Sequence, residues 1–194
     1  METGKNVIEF FKRSFLPQLT IEEENTILSY FAKHTFEKKE LVFTNGDSNT
    51  KHYFIESGLM RLFLVDTSGK EFNILFAREN QVIGDLITPE PTDFNLEAIE
   101  KSVAYSISDK KIEELIEKLN VKHKDRPSSS IRRSYVKIQK RLVSILANTA
   151  EENYLEFKSS HPDLIQRLPQ YHIASYLGIS AEFLSKIIAR NAKK

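Results

Sequence analysis

Five histidines, His34, His52, His123, His161 and His172, are the side chains of this 194-residue sequence whose ordinary pKa lies near neutrality. No two of them stand at HxH, HxxxH or HExxH spacing, so no strand or helix face presents a pair of imidazoles to a metal. There is no cysteine, which removes disulfides, thiol nucleophiles, Cys-ligated zinc and iron–sulfur clusters together. No Walker loop, GxSxG or GxGxxG occurs either. Enzymatic and metal chemistry is therefore not expected, and neither is a cofactor. A different chemistry is written near the end of the chain, in AEFLSKIIAR (181–190). At helical spacing Glu182, Ser185 and Ala189 share one face, flanked by Ala181 and Lys186. An acceptor, a hydroxyl and a cation on a short helix make a hydrogen-bonding face that fits a major groove.

That face needs a support. On the same helix Phe183, Leu184, Ile187 and Ile188 form an apolar side, and Ser180 suits the N-cap. A preceding short helix points Ile173, Ala174 and Leu177 inward, with Pro169 in its first turn. Gly178 ends that helix at a left-handed position. Two short helices, a tight glycine turn and the small Ala174 where they cross read as a helix-turn-helix. A plain αα-hairpin shares the apolar spacing, though not the whole combination. Charge points the same way. Residues 1–121 hold 14 basic and 21 acidic residues, a net of −7, whereas residues 122–194 hold 14 and 6, a net of +8. A basic module is the electrostatic footprint of a nucleic-acid binder, although a solvated helix face also clusters charge.

Upstream, the spacing predicts a long helix over 128–152, free of Gly and Pro. Ile131, Tyr135, Ile138, Leu142, Ile145 and Thr149 recur at alternating steps of four and three, a heptad seam for a second copy of the chain. The alternative is an amphipathic helix packed on its own domain, for which Val136, Val143 and Leu146 supply a second stripe. VKHKDRPSSS (121–130) reads as a joint, and His161-Pro162 breaks the chain again.

The N-terminal part divides differently. Residues 6–33 read as helical, with a capping box at Thr20 and Glu23. Short apolar runs then follow at 41–43, 52–57, 59–65, 71–77, 81–83 and 103–108, and four of the six glycines punctuate them. An antiparallel roll, barrel or sandwich is expected, with ITPEPTD (87–93) as a loop and a helix at DKKIEELIEKL. No apolar run approaches the ~20 residues of a membrane span, and METGKNVIEFFKRSF lacks the apolar core of a secretion signal, so a cytoplasmic location is expected.

The order of β-rich region, seam helix and IASYLGISAEFLSK (173–186), with the NGD turn (45–47), ESGLMRLFLVDTSGKEFNILF (56–76) and VIGDL (82–86), resembles the Crp/Fnr family of bacterial transcription regulators. The resemblance covers nearly the whole chain. It implies an α+β fold: a double-stranded β-helix of the cyclic-nucleotide-binding type with flanking helices (1–121), a dimerisation helix (122–152) and a helix-turn-helix domain (153–194). It implies a homodimer on double-stranded DNA that reads an inverted repeat, with RNA polymerase as a further partner and no membrane. By position, base contacts fall on Ala181, Glu182 and Lys186, and phosphate contacts on His172, Ser180, Ser185 and Arg190. For Arg190 a solvated helix end is an equal alternative.

The effector pocket implied by the resemblance falls on Gly84, Asp85, Leu86, Thr92 and Asp93. Family members that bind cyclic nucleotides place an arginine and a serine where Thr92 and Asp93 stand, so cyclic AMP is not expected to bind well. Asp85 suits a ribose hydroxyl or an ordinary turn. Another small molecule, or none, is the expected effector. A β-roll that signals by protein contact without DNA is the competing reading.

Overall fold

The computed structural model describes residues 4–48, 51–85, 91–121 and 128–192; side chains of 128–135 and 137 lie outside the description. The chain forms two compact units, Met1–Leu64 with Ile74–Ser130, and Val65–Asn73 with Ile131–Lys194.

In the first unit the expected helical stretch 6–33 is split. Helix α1 (Lys5–Ser14) stops short of Pro17, whose ring cannot continue a helix, and α2 (Ile21–Ser29) restarts after the Thr20–Glu23 capping box. The residues after α2 are not helical: they form β1 (Ala32–Phe36), paired antiparallel with β8 (Ser102–Ser108). Between these lie β2 (Leu41–Phe43), β3 (Lys51–Ser57), β4 (Leu59–Val65), β5 (Glu71–Arg78), β6 (Val82–Ile83) and β7 (Asn95–Ala98). They make two four-stranded sheets, β1-β8-β3-β6 and β2-β7-β4-β5. Period-two alternation sends Tyr53, Ile55, Met60, Leu62, Leu96 and Ala98 into one apolar core. The N-terminal helices pack Val7, Phe11 and Ile27 with Phe54, Tyr105 and Leu115 into a second core, closed by α3 (Asp109–Lys118).

One glycine in this unit is required by contact as well as by conformation. Gly58 has φ +101°, and a Cβ there would lie 2.7 Å from the Cα of Ser102. The fully buried Ser102 uses its hydroxyl to accept from Leu59 N–H at 3.2 Å and to donate to the Glu100 carbonyl at 2.8 Å. Any larger residue at position 58 would push the β3–β4 turn off this anchor.

The second unit contains α4 (Ser128–Ala147) from Ile131 onward, α5 (Ala150–Ser160), α6 (Pro162–Arg167), α7 (Gln170–Leu177) and α8 (Ala181–Asn191). The long helix is shorter than the sequence spacing predicts. It ends at Ala147, and Thr149 belongs to the next helix: its hydroxyl accepts from Glu152 N–H at 3.3 Å while the Glu152 carboxylate accepts from Thr149 N–H at 2.7 Å. Two orphan donors at the start of α5 are thereby satisfied, and that outweighs one more turn of α4. Thr149 is thus removed from the seam. Tyr154, Phe157, Leu164, Ile173, Ala174, Leu184 and Ile187 are buried in this unit.

Candidate nucleic-acid interface

Helices α7 and α8 are joined through Gly178, which takes the left-handed conformation (φ 72°, ψ 23°) at the end of α7. Ser180 then starts α8 by accepting the Phe183 N–H at 3.1 Å. Leu184 and Ile187 anchor α8, and Ile173 and Ala174 do so for α7. With these inward, Glu182, Ser185, Lys186 and Arg190 are all exposed and Ala181 is partly so. The reading face expected from the sequence therefore stands in the open.

The electrostatics of that face are set at the first turn of α8. Hydrogen bonds from its own backbone N–H and from the Ser180 hydroxyl, together with the charge of Lys186, hold the Glu182 carboxyl below its usual pKa of 4.5. Glu182 is an ionised acceptor at the end of a helix where peptide dipoles favour negative charge. The Ser180 hydroxyl, which accepts the Phe183 N–H, acts here as a cap. Arg190 lies 3.4 Å from Glu151, an exposed pair that gives little rigidity.

His172 is where the sequence reading and the structure part. The expected phosphate contact is buried, with 4% exposure, on the inner side of α7. Its partner comes from Val65–Asn73, which includes the tip of the β4–β5 hairpin. The Asn73 amide lies 3.2 Å from His172 Nδ1 and donates to the His172 carbonyl at 3.1 Å. Asn73 N–H donates to Ser175 Oγ at 2.9 Å, and Ser175 donates to the Glu71 carbonyl at 2.8 Å. Arg141 of α4 donates to the carbonyls of Asn73 (3.1 Å) and Tyr176 (2.8 Å) and stacks on the Tyr176 ring at 3.9 Å. Its burial lowers the Arg141 pKa. His172 therefore belongs to the scaffold of the unit.

The α4 stripes are both exposed. Ile138, Leu142 (56%) and Ile145 of the seam, and Val136, Val143 and Leu146 (77%) of the second stripe, all face solvent in the single chain. Ile131 and Tyr135 lie in α4, outside the described side chains.

In the first unit Asp85 and Thr92 of the expected pocket meet: Thr92 Oγ1 donates to Asp85 Oδ2 at 2.6 Å. Thr92 is buried and Gly84 is buried beside Asp85, whereas Asp93 is exposed and Leu86 lies outside the described residues. An arrangement not read from the sequence lies in the second sheet. Arg61 on β4 is paired in register with Glu97 on β7, and the two form an almost fully buried ion pair. The guanidinium also sits 3.9 Å over the Phe63 ring. Among the described residues no group of three His, Asp or Glu can hold a metal ion, and no helix is long and apolar enough to cross a membrane.

A family model of the cyclic nucleotide-binding domain matches residues 33–119. No curated protein matches the sequence significantly. Among solved structures, the c-di-GMP responsive global regulator CLP of Xanthomonas campestris superposes with a TM-score of 0.71 at 12% identity, covering 90% of this chain and 92% of its own. FixK2 of Bradyrhizobium japonicum gives 0.70 at 15% identity, covering 84% and 85%. A transcriptional regulator of the Crp/Fnr family from Eubacterium rectale gives 0.66 at 10% identity, covering 89% and 83%. At these identities the likeness is one of fold.

Proposed function

With a cyclic nucleotide-binding domain and the fold shared by Crp/Fnr transcription regulators as the premise, we propose that this chain is a DNA-binding transcription regulator that works as a homodimer on an inverted repeat. The observation that carries the reading is the open face of α8. Its first turn is capped by Ser180, its apolar side is buried through Leu184 and Ile187, and Glu182, Ser185 and Lys186 face outward. In this reading α7 and α8 are a helix-turn-helix. Glu182 accepts from a cytosine amino group, Lys186 donates to guanine O6 and N7, and Ala181 touches a thymine methyl. Ser185 and Arg190 meet phosphates.

Dimerisation follows from α4. The exposed Ile138, Leu142 and Ile145 are a seam that a second copy covers, setting two recognition helices one DNA turn, ~34 Å, apart. The β-roll takes a small molecule other than cyclic AMP as effector, or none. Asp93 would repel a phosphate, and the Thr92 hydroxyl is directed to Asp85. An event in the β-roll re-spaces the recognition helices, and a coupling of ~1–3 kcal/mol suffices for such regulation.

Selection of bound sequences from random duplex DNA tests the proposal. The expected result is a two-fold symmetric consensus with half-sites one helical turn apart. Absence of any enriched sequence at low salt overturns it and favours a β-roll module that signals by protein contact.

A further inference from the structure

We infer that Phe183 is a specificity-determining residue that reads the 5-methyl group of a thymine at the margin of each half-site. The inference rests on the DNA-binding reading above and adds a contact to it. Sequence spacing puts Phe183 in the apolar face with Leu184 and Ile187. In the structure those two are buried, whereas Phe183 keeps 48% of its surface exposed.

Helix geometry explains the difference. Relative to Phe183, Arg190 lies within about 20°, Lys186 about 60° and Glu182 about 100° around the axis, all on the side away from Leu184. The ring therefore stands at the rim of the polar stripe, next to two cations, and Ala181 stands at the opposite rim. Its backbone is fixed, because its N–H is the donor that Ser180 caps at 3.1 Å. Phe183 is thus held in the first turn of α8, the turn that carries Glu182.

The chemistry of the ring selects its target. Phenylalanine has no hydrogen-bonding group, so neither a phosphate oxygen nor a base amide can satisfy it. In the major groove the apolar feature of a base edge is the C5-methyl of thymine. Arg190, within about 20° of Phe183 around the axis, draws a flanking phosphate toward this rim. The exposed ring then loses water against a methyl group when the duplex docks.

The test uses the full-length protein, the selected duplex and deoxyuridine. Replacing a thymine by uracil deletes the methyl and leaves every base-pairing group in place. One symmetric position is expected where uracil weakens wild-type binding roughly fourfold per half-site, the scale of one buried methyl group. That loss vanishes in Phe183→Ala and is kept in part by Phe183→Leu, with thermal melting confirming that both variants fold. A position whose uracil effect survives in Phe183→Ala belongs to another residue and does not count. The inference is overturned if wild type tolerates uracil everywhere, or if every uracil effect persists in Phe183→Ala. Failure of the wild type to select any duplex would instead remove the DNA-binding reading itself.

Discussion

The side-chain amide of Asn73 donates to the backbone carbonyl of His172 at 3.1 Å across 99 positions of sequence. Both residues are buried, Asn73 with 1% exposure. The His172 carbonyl lies inside α7, so losing the Asn73 donor removes one buried hydrogen bond, about 0.5–1.5 kcal/mol. Asn73→Ala is expected to lower unfolding stability by that amount in a urea titration. Asn73→Asp, equal in size, should lose more, because a buried carboxylate oxygen then meets the His172 carbonyl. Unchanged stability in both would show that the amide is not the holding contact.

Arg61 and Glu97 set a second expectation. Their ion pair lies across two neighbouring strands with side chains only 5% and 13% exposed. Replacing Arg61 by methionine leaves the Glu97 carboxylate without its guanidinium, and about 3–5 kcal/mol of stability is expected to go. The double replacement Arg61→Met with Glu97→Leu should recover most of it, since two apolar groups need no counter-charge. A double variant as unstable as the single one would contradict this.

The α5 capping box makes an acid-side signature. Hydrogen bonds from Thr149 N–H and its hydroxyl lower the Glu152 pKa from the usual 4.5. A carboxyl with a depressed folded-state pKa stabilises above its unfolded value and loses that contribution as pH falls through the folded one. The stability of the wild type should therefore fall below about pH 4.5 more steeply than that of Glu152→Gln. Chemical denaturation at a series of pH values reads the difference directly. Parallel curves would mean that Glu152 titrates alike in both states.

Oligomeric state tests the α4 seam. Leu142→Asp puts a charge on a stripe whose Ile138 and Ile145 neighbours are also exposed in the single chain. Sedimentation equilibrium should show wild-type dimers and variant monomers at micromolar concentration. DNA affinity should drop with dimer content. A variant that remains dimeric places the contact elsewhere.

Much of this architecture was legible from local pattern. Gly178, Ser180 and the Thr20–Glu23 box are signals confined to a few residues, and each acts in the structure as its type demands. What escaped depends on distant pairing. β7 reads NLEA, with two polar residues in four, and becomes a strand through its partners on β4 and β2. Arg61 was hidden inside the apolar run LMRLFLV, and its meaning needs Glu97 in register opposite. Thr149 continued the four-three spacing of the long helix, so its capping role was masked by a competing periodicity. Phe183 has the spacing of core because its neighbours are core, and only its 48% exposure in the folded chain shows it at the rim.

The segment Val65–Asn73 has a practical consequence for anyone who cuts or recombines this chain. Nine residues from far upstream complete the unit that holds α7 and α8. A fragment starting at α4 would leave the Ser175 hydroxyl and the His172 carbonyl without the Asn73 contacts they have here. Chimeras that exchange α7 and α8 with a relative should therefore carry the hairpin tip along with them. The α7–α8 unit is a graft of two stretches of chain, and it travels as both or not at all.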